Sequence, residues 1–137
     1  MSAKSKRPKD EALLAKLRAL GDDLVTPRSV TLYFAPNTPR TKYQPEEVEA
    51  LAAALFAEGW FRKPVLGGEY LVIVESERPV DAPSLDAIVD MAEALATARD
   101  VEFDGWECSV RSKTGREPPW KLALLDNTNG KMSYKPR

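Results

Sequence analysis

An α+β domain is what this 137-residue sequence predicts. Three observations carry that reading. Two short runs, SVTLYFA at 29–35 and EYLVIVES at 69–76, are β-branched and aromatic; three stretches place apolar residues at helical spacing; and the eleven prolines punctuate these segments more than they interrupt them. The length fits one domain of the usual ~100–200 residues. Hydrophobic residues at 43% are enough for a core, and charged residues at 30% exceed the ~25% norm, as expected of a well-solvated surface.

Residues 10–20 set Leu13, Leu14, Leu17 and Leu20 on one stripe, with Asp10 and Glu11 opposing the helix dipole in the first turn and Gly21 as the C-terminal cap. The strand at 29–35 points Val30, Leu32 and Phe34 one way and Thr31 and Tyr33 the other. Pro45 opens a helix over 45–58 with Glu46 and Glu47 in its first turn, an apolar stripe of Val48, Leu51, Leu55 and Phe56, and Gly59 at its end. Residues 60–65 read as a strand that Pro64 confines to an edge, and Leu66–Glu69 as a glycine hairpin turn into the strand at 69–76. A helix over 83–99 carries Leu85, Ile88, Val89, Ala92 and Leu95 inward. Asp104-Gly105 reads as a turn after this helix, so the next strand is expected from Trp106 to Arg111. Lys113-Thr114-Gly115 is turn-like, WKLALL at 120–125 reads as a short strand or helical turn, and the last twelve residues as frayed.

A helix followed by β-α-β-β-α-β is a split βαβ pattern, which predicts a ferredoxin-like antiparallel sheet with two helices on one face and an extra N-terminal helix. The first and third strands should be central, with 60–65 and 106–111 at the edges. The division follows: 1–9 as a basic disordered N-terminus, 10–112 as the domain, 113–137 as a basic C-terminal extension.

The chain has no His, so Ser–His–Asp and Cys–His nucleophile arrangements are excluded, and its single cysteine, Cys108, allows neither an internal disulfide nor a Cys-based zinc site. Cys108 reads as a small packed hydrophobe. No apolar run reaches the ~18–20 residues of a membrane span, and the first residues lack a signal-peptide core, which points to a soluble cytoplasmic protein. Gly67-Gly68 lacks the flanking pattern of a phosphate loop, and no carboxylate pair has nuclease-like spacing; no cofactor, metal or small-molecule substrate is implied.

The net charge of −1 hides a pattern: residues 1–9 carry +4, residues 10–110 carry −10 and residues 111–137 carry +5. An acidic body with basic ends is the reverse of a nucleic-acid-binding fold, although solubilising basic tails could contact RNA. Glu46, Glu47 and Glu49 on the second helix, with Asp86, Asp90 and Glu93 on the third, would form a joint acidic face if the helices pack side by side. Such a face steers a basic protein partner; otherwise it is solvation. Glu46, Glu49, Asp86, Asp90 and Glu93 are the candidate contacts. Tyr33, Tyr70 and Trp106 could line an open sheet face as base-stacking aromatics, but the accompanying basic-Gly-aromatic string is missing.

The most distinctive string is VEFDGWECSV at 101–110, in which Phe103, Asp104, Gly105 and Trp106 combine turn formers with a ring that is either a core residue or a partner-contacting anchor. This string, the N-terminal ALLAKLRALGDDLVTPRSVTLYF, LFAEGWFRKPV and EYLVIVES together resemble the regulator of ribonuclease activity B family, inhibitors of bacterial ribonuclease E, over roughly Asp10–Val110. The resemblance implies a non-catalytic, metal-free protein that binds an endoribonuclease and alters which RNAs it cleaves. One departure stands out: the family's strongly acidic C-terminal tail is replaced by the basic NTNGKMSYKPR. An RNA-binding module, or an immunity-like or scaffold protein with another partner, is the alternative.

Overall fold

Pro8 starts the first helix, two residues before the expected Asp10, because proline's fixed φ suits a position whose N–H has no helical acceptor. This helix, α1 (Pro8–Ala19), buries Leu13, Leu14 and Leu17. Leu20, counted in the same stripe, is 49% exposed because it lies past the last turn. The chain reverses at Gly21, φ 86°, where the Gly21 N–H donates to the Arg18 carbonyl at 3.0 Å and the Asp22 N–H to the Leu17 carbonyl at 3.1 Å. The computed structural model describes residues 4–38, 42–65, 70–110, 120–126 and 132–136, the last two stretches as backbone.

The elements that follow are β1 (Arg28–Pro36), α2 (Pro45–Ala57), β2 (Phe61–Lys63), β3 (Val72–Arg78), α3 (Ala82–Ala98), β4 (Val101–Ser109), β5 (Trp120–Asp126) and β6 (Met132–Pro136). The strands form one antiparallel sheet in the order β2-β3-β1-β4-β5-β6. The α+β class and the antiparallel sheet are as the sequence predicts. β1 pairs with β3 on one side and β4 on the other, so Val30 lies between Ser76 and Cys108, and Leu32 between Val74 and Trp106. Val30, Leu32, Phe34, Val72 and Val74 have no exposed surface and join one core cluster with the buried stripes of α1, α2 and α3.

Three expectations are corrected. β4 is not an edge, because β5 pairs with its far side from Trp106 to Ser109. β4 also begins at Val101 instead of Trp106, and Asp104-Gly105 is a β-bulge inside it, not a turn before it. Gly105 opposes Tyr33 while Phe103 opposes Phe34, leaving Asp104 as the extra residue. Gly105 takes φ 127°, a conformation only glycine adopts without strain, and the reversal out of α3 is made at Asp100, φ 54°. Finally, 120–125 is a strand and 132–136, expected to fray, pairs with it. The turns expected at Leu66–Glu69 and Lys113–Gly115, and the boundary between 112 and 113, lie outside the described residues.

The α1–β1 connection is bolted down by charge. Arg28 and Asp22 have no exposed side-chain surface; Arg28 Nη2 donates to Asp22 Oδ1 at 2.7 Å and Nη1 donates to Oδ2. Arg28 Nε also reaches the Thr26 carbonyl at 3.1 Å, and Nη1 the Ser109 carbonyl of β4 at 3.3 Å. Asp22 Oδ1 accepts the Leu24 N–H at 2.8 Å, which holds Leu24 at φ 66°. A buried ion pair persists only with its remaining donors and acceptors filled, and this one has them filled.

Candidate functional site

The three α3 acids picked out by the sequence stand together, and the chain itself covers them. α3 is apolar on the flank formed by Leu85, Ile88, Val89, Ala92 and Ala96, so Asp86, Asp90 and Glu93, one helical turn apart, project from the side of the helix next to α1. The segment leading into α1 lies along this ridge. Ser5 Oγ donates to Asp86 Oδ1 at 2.6 Å and the Lys6 N–H to Asp86 Oδ2 at 3.1 Å. Lys6 Nζ sits 2.7 Å from Asp90 Oδ2, and Arg7 Nη2 is 2.5 Å from Asp90 Oδ1 and 2.6 Å from Glu93 Oε1. The Asp90 carboxyl is held below its ordinary value by hydrogen bonds from Arg7 and Lys6, and those carboxylates raise Arg7 in return against the opposing effect of its burial. Residues 5–7, within the stretch expected as a basic N-terminus, thus lie along α3, which supplies their counter-charges. Asp86, expected to be exposed, is only 19% exposed beneath them.

Behind this contact lies Asp10, fully buried, with Oδ1 accepting the Trp106 indole N–H at 3.0 Å and Oδ2 without a partner among the described residues. Burial raises the Asp10 carboxyl, against the lowering effects of Trp106 and Arg7. Asp10 stands in the first turn of α1, as the sequence reading has it, but the partner of its carboxylate, 96 residues away, was not legible there.

The α2 acids do not join this ridge. Glu49 faces the β2 edge, where it takes both oxygens to Arg62 Nη1 at 2.8 and 2.9 Å. Glu46 is exposed in the first turn, and Glu47 Oε1 accepts the Gln44 N–H at 3.1 Å. The segment just after α2 and the α3 helix border a cleft of about 330 Å³ lined by Glu58, Trp60, Arg78, Ser84, Ile88 and Met91. Glu49 thus shares no cation with the α3 acids, which stand as a ridge of their own. In the cleft, Arg78 lies 4.8 Å over the Trp60 ring, with Nη2 on the Glu58 carbonyl at 2.6 Å and Nε on Ser76 Oγ at 3.1 Å. A Cβ on Gly59 would come within 2.8 Å of Arg78 Nη2, so glycine there is a packing requirement.

Trp106 is fully buried on the helix-covered face of the sheet, beside Leu32, which favours its core reading over the anchor reading. It is therefore absent from the opposite face, where Tyr33 and Tyr70 pack with ring centroids 4.9 Å apart. Their hydroxyls are taken by carboxylates, Tyr33 donating to Glu107 Oε1 at 3.2 Å and Tyr70 to Asp104 Oδ2 at 3.1 Å. Burial and Glu107 push the Tyr33 phenol up. A base-stacking platform needs open rings beside cations, and carboxylates at both hydroxyls repel phosphate. Phe103 leans on Phe34 at 5.4 Å, while Phe56, expected in the core stripe, is 64% exposed and meets Phe61 edge-on at 5.8 Å. Burial pushes the Cys108 thiol up to about 12, which leaves it unreactive.

Among the described residues no group of three or more His, Cys, Asp or Glu could hold a metal ion, and no helix is long and apolar enough to cross a membrane. The sequence model of the regulator of ribonuclease activity B family matches residues 7–108, which runs from the start of α1 to near the end of β4. No curated protein and no solved structure matches the chain.

Proposed function

Because this chain belongs to the regulator of ribonuclease activity B family, we propose that it binds an endoribonuclease of the ribonuclease E type and changes which RNAs that enzyme cleaves, without catalysing a reaction itself. The observation that carries the reading is the family match over 7–108, and the charge of the body supplies the physical means. A body with a net charge of −10 over residues 10–110 is drawn to the basic RNA-binding surface of a nuclease, gaining association rate and register from complementary potential. The strand order β2-β3-β1-β4 with its two helical crossovers supports a ferredoxin-like scaffold, to which α1 and the β5-β6 pair are added. Residues 10–112 are the regulatory body, 113–137 a basic extension, and the cytoplasm the place of action. The acids expected to make contact, Glu46, Glu49, Asp86, Asp90 and Glu93, remain the proposed docking residues, Glu49 in an exposed pair with Arg62 and the last three on the ridge occupied by residues 5–7.

The test is RNA cleavage by a purified ribonuclease E-type enzyme with increasing amounts of the full chain. Cleavage should slow or change in site choice as the chain is added, a complex of the two proteins should weaken as salt rises, and the chain alone should leave RNA intact. Cleavage of RNA by the chain alone, or no complex at low salt, rejects the reading. A shift of RNA by the chain without the enzyme would favour the RNA-binding alternative.

A further inference from the structure

We propose that the Asp86–Asp90–Glu93 ridge is a recognition site for an extended basic segment of a partner protein, and that Ser5–Arg7 is its occupant in the free protein, to be displaced when the partner binds. The proposal deepens the contact-regulator reading and rests on it for the partner's role, but the ridge's chemistry stands by itself.

The bound segment shows what the ridge accepts. Each of three consecutive residues is held by a different part of it: a hydroxyl and the following backbone N–H on the two oxygens of Asp86, an ammonium on Asp90, and a guanidinium bridging Asp90 and Glu93. Arg7 has extended backbone, φ −102° and ψ 119°, so the ligand form is a strand-like stretch with a hydroxyl residue followed by Lys and Arg. The capture of a backbone N–H separates this from a diffuse acidic patch, because it reads chain direction as well as charge.

The occupant is also built to leave. Lys6, Asp90 and Glu93 are each about half exposed, so these pairs are weak and salt-screened. α1 does not depend on them: Leu13, Leu14 and Leu17 are buried in the core, and Asp10 is held by Trp106. The side chains of Ser5, Lys6 and Arg7 can leave the ridge with the leucine stripe of α1 still packed, at the cost of the Ser5 N–H bond to Glu11 Oε1 at 2.8 Å. Arg7 Nη1 makes no hydrogen bond among the described residues and stands 3.8 Å from Asp86 Oδ1, so the own-chain fit is looser at this atom than at Nη2.

The probe is a fluorescent peptide with the sequence of residues 1–9, and the proteins are the full wild-type chain and its Ser5→Ala/Lys6→Gln/Arg7→Gln variant. A tethered segment acts at an effective concentration near ~1 mM and taxes any competitor by the fraction of ridges it fills, so the variant should bind the peptide about tenfold more tightly than wild type. Adding Asp86→Asn/Asp90→Asn/Glu93→Gln to the variant should abolish binding. Melting curves confirm folding, and the single Lys6→Gln change, which touches only an exposed pair, should give an intermediate gain. Equal binding to wild type and variant, no binding to either, or binding that survives loss of the three acids overturns the proposal. No ribonuclease enters this test, so its failure is distinct from failure of the ribonuclease reading.

Discussion

Arg28 and Arg7 make the same contact in opposite surroundings. Each guanidinium spans two carboxylate oxygens near one end of α1, Arg28 with nothing exposed on the fully buried Asp22, Arg7 at 25% exposure on Asp90 and Glu93, which are about half in water. Burial turns the first pair into a lock, because removing one partner strands a charge in low dielectric; solvent turns the second into an exchangeable contact. The same residue types therefore hold the α1–β1 connection shut at one end of the helix and lie on the α3 ridge in reversible form at the other.

The comparison breaks first at the buried end. Asp22→Ala should cost about 3–5 kcal/mol in denaturant unfolding, since Arg28 would keep its charge and lose its counter-ion. Trp106→Ala should cost a similar ~3–5 kcal/mol by opening a cavity beside Leu32. A loss below about 1 kcal/mol for Asp22→Ala would mean that the pair is no lock.

Asp10, between the two regions, sharpens the comparison through pH. Its folded carboxyl lies above the ordinary aspartate value, so the native state binds more protons than the unfolded one across the window from that ordinary value upward. The sign follows: the raised carboxyl costs stability at neutral pH, and that cost fades as pH falls through the raised folded value toward the ordinary one. Asp10→Asn keeps an acceptor for the Trp106 indole and removes the charge. Its melting temperature relative to wild type should be highest near neutral pH and fall toward wild type as pH approaches about 4. A difference constant with pH would show that the Asp10 carboxyl titrates alike in the folded and unfolded states.

The exposed end should give the smallest effect. Arg7→Ala should cost no more than about 1 kcal/mol, and the cost should shrink as salt rises. A loss as large as that of Asp22→Ala, or one indifferent to salt, would make the N-terminal segment a fixed part of the fold and end its role as an exchangeable occupant.

Local pattern determined much of this protein. The leucines of α1 at helical spacing, the alternation of Val30, Leu32 and Phe34, the apolar stripe of α3 and the reversal at Gly21 all follow from residues within one or two turns of each other, which is the range over which periodicity and capping act. The string around Trp106 carried the family as well. Tertiary structure alone decided which charges meet. Asp10 reaches Trp106 across 96 residues and Lys6 reaches Asp90 across 84, while Glu49, read as their companion, turns away to Arg62. The Asp104-Gly105 bulge was hidden for the same reason: Asp-Gly encodes only a permissive backbone, and pairing with Tyr33 and Phe34 makes it a bulge instead of a turn. Charge has no period along the chain and acts through space, so where an acid finds its cation depends on how helices pack on the sheet, which no local stretch of sequence specifies.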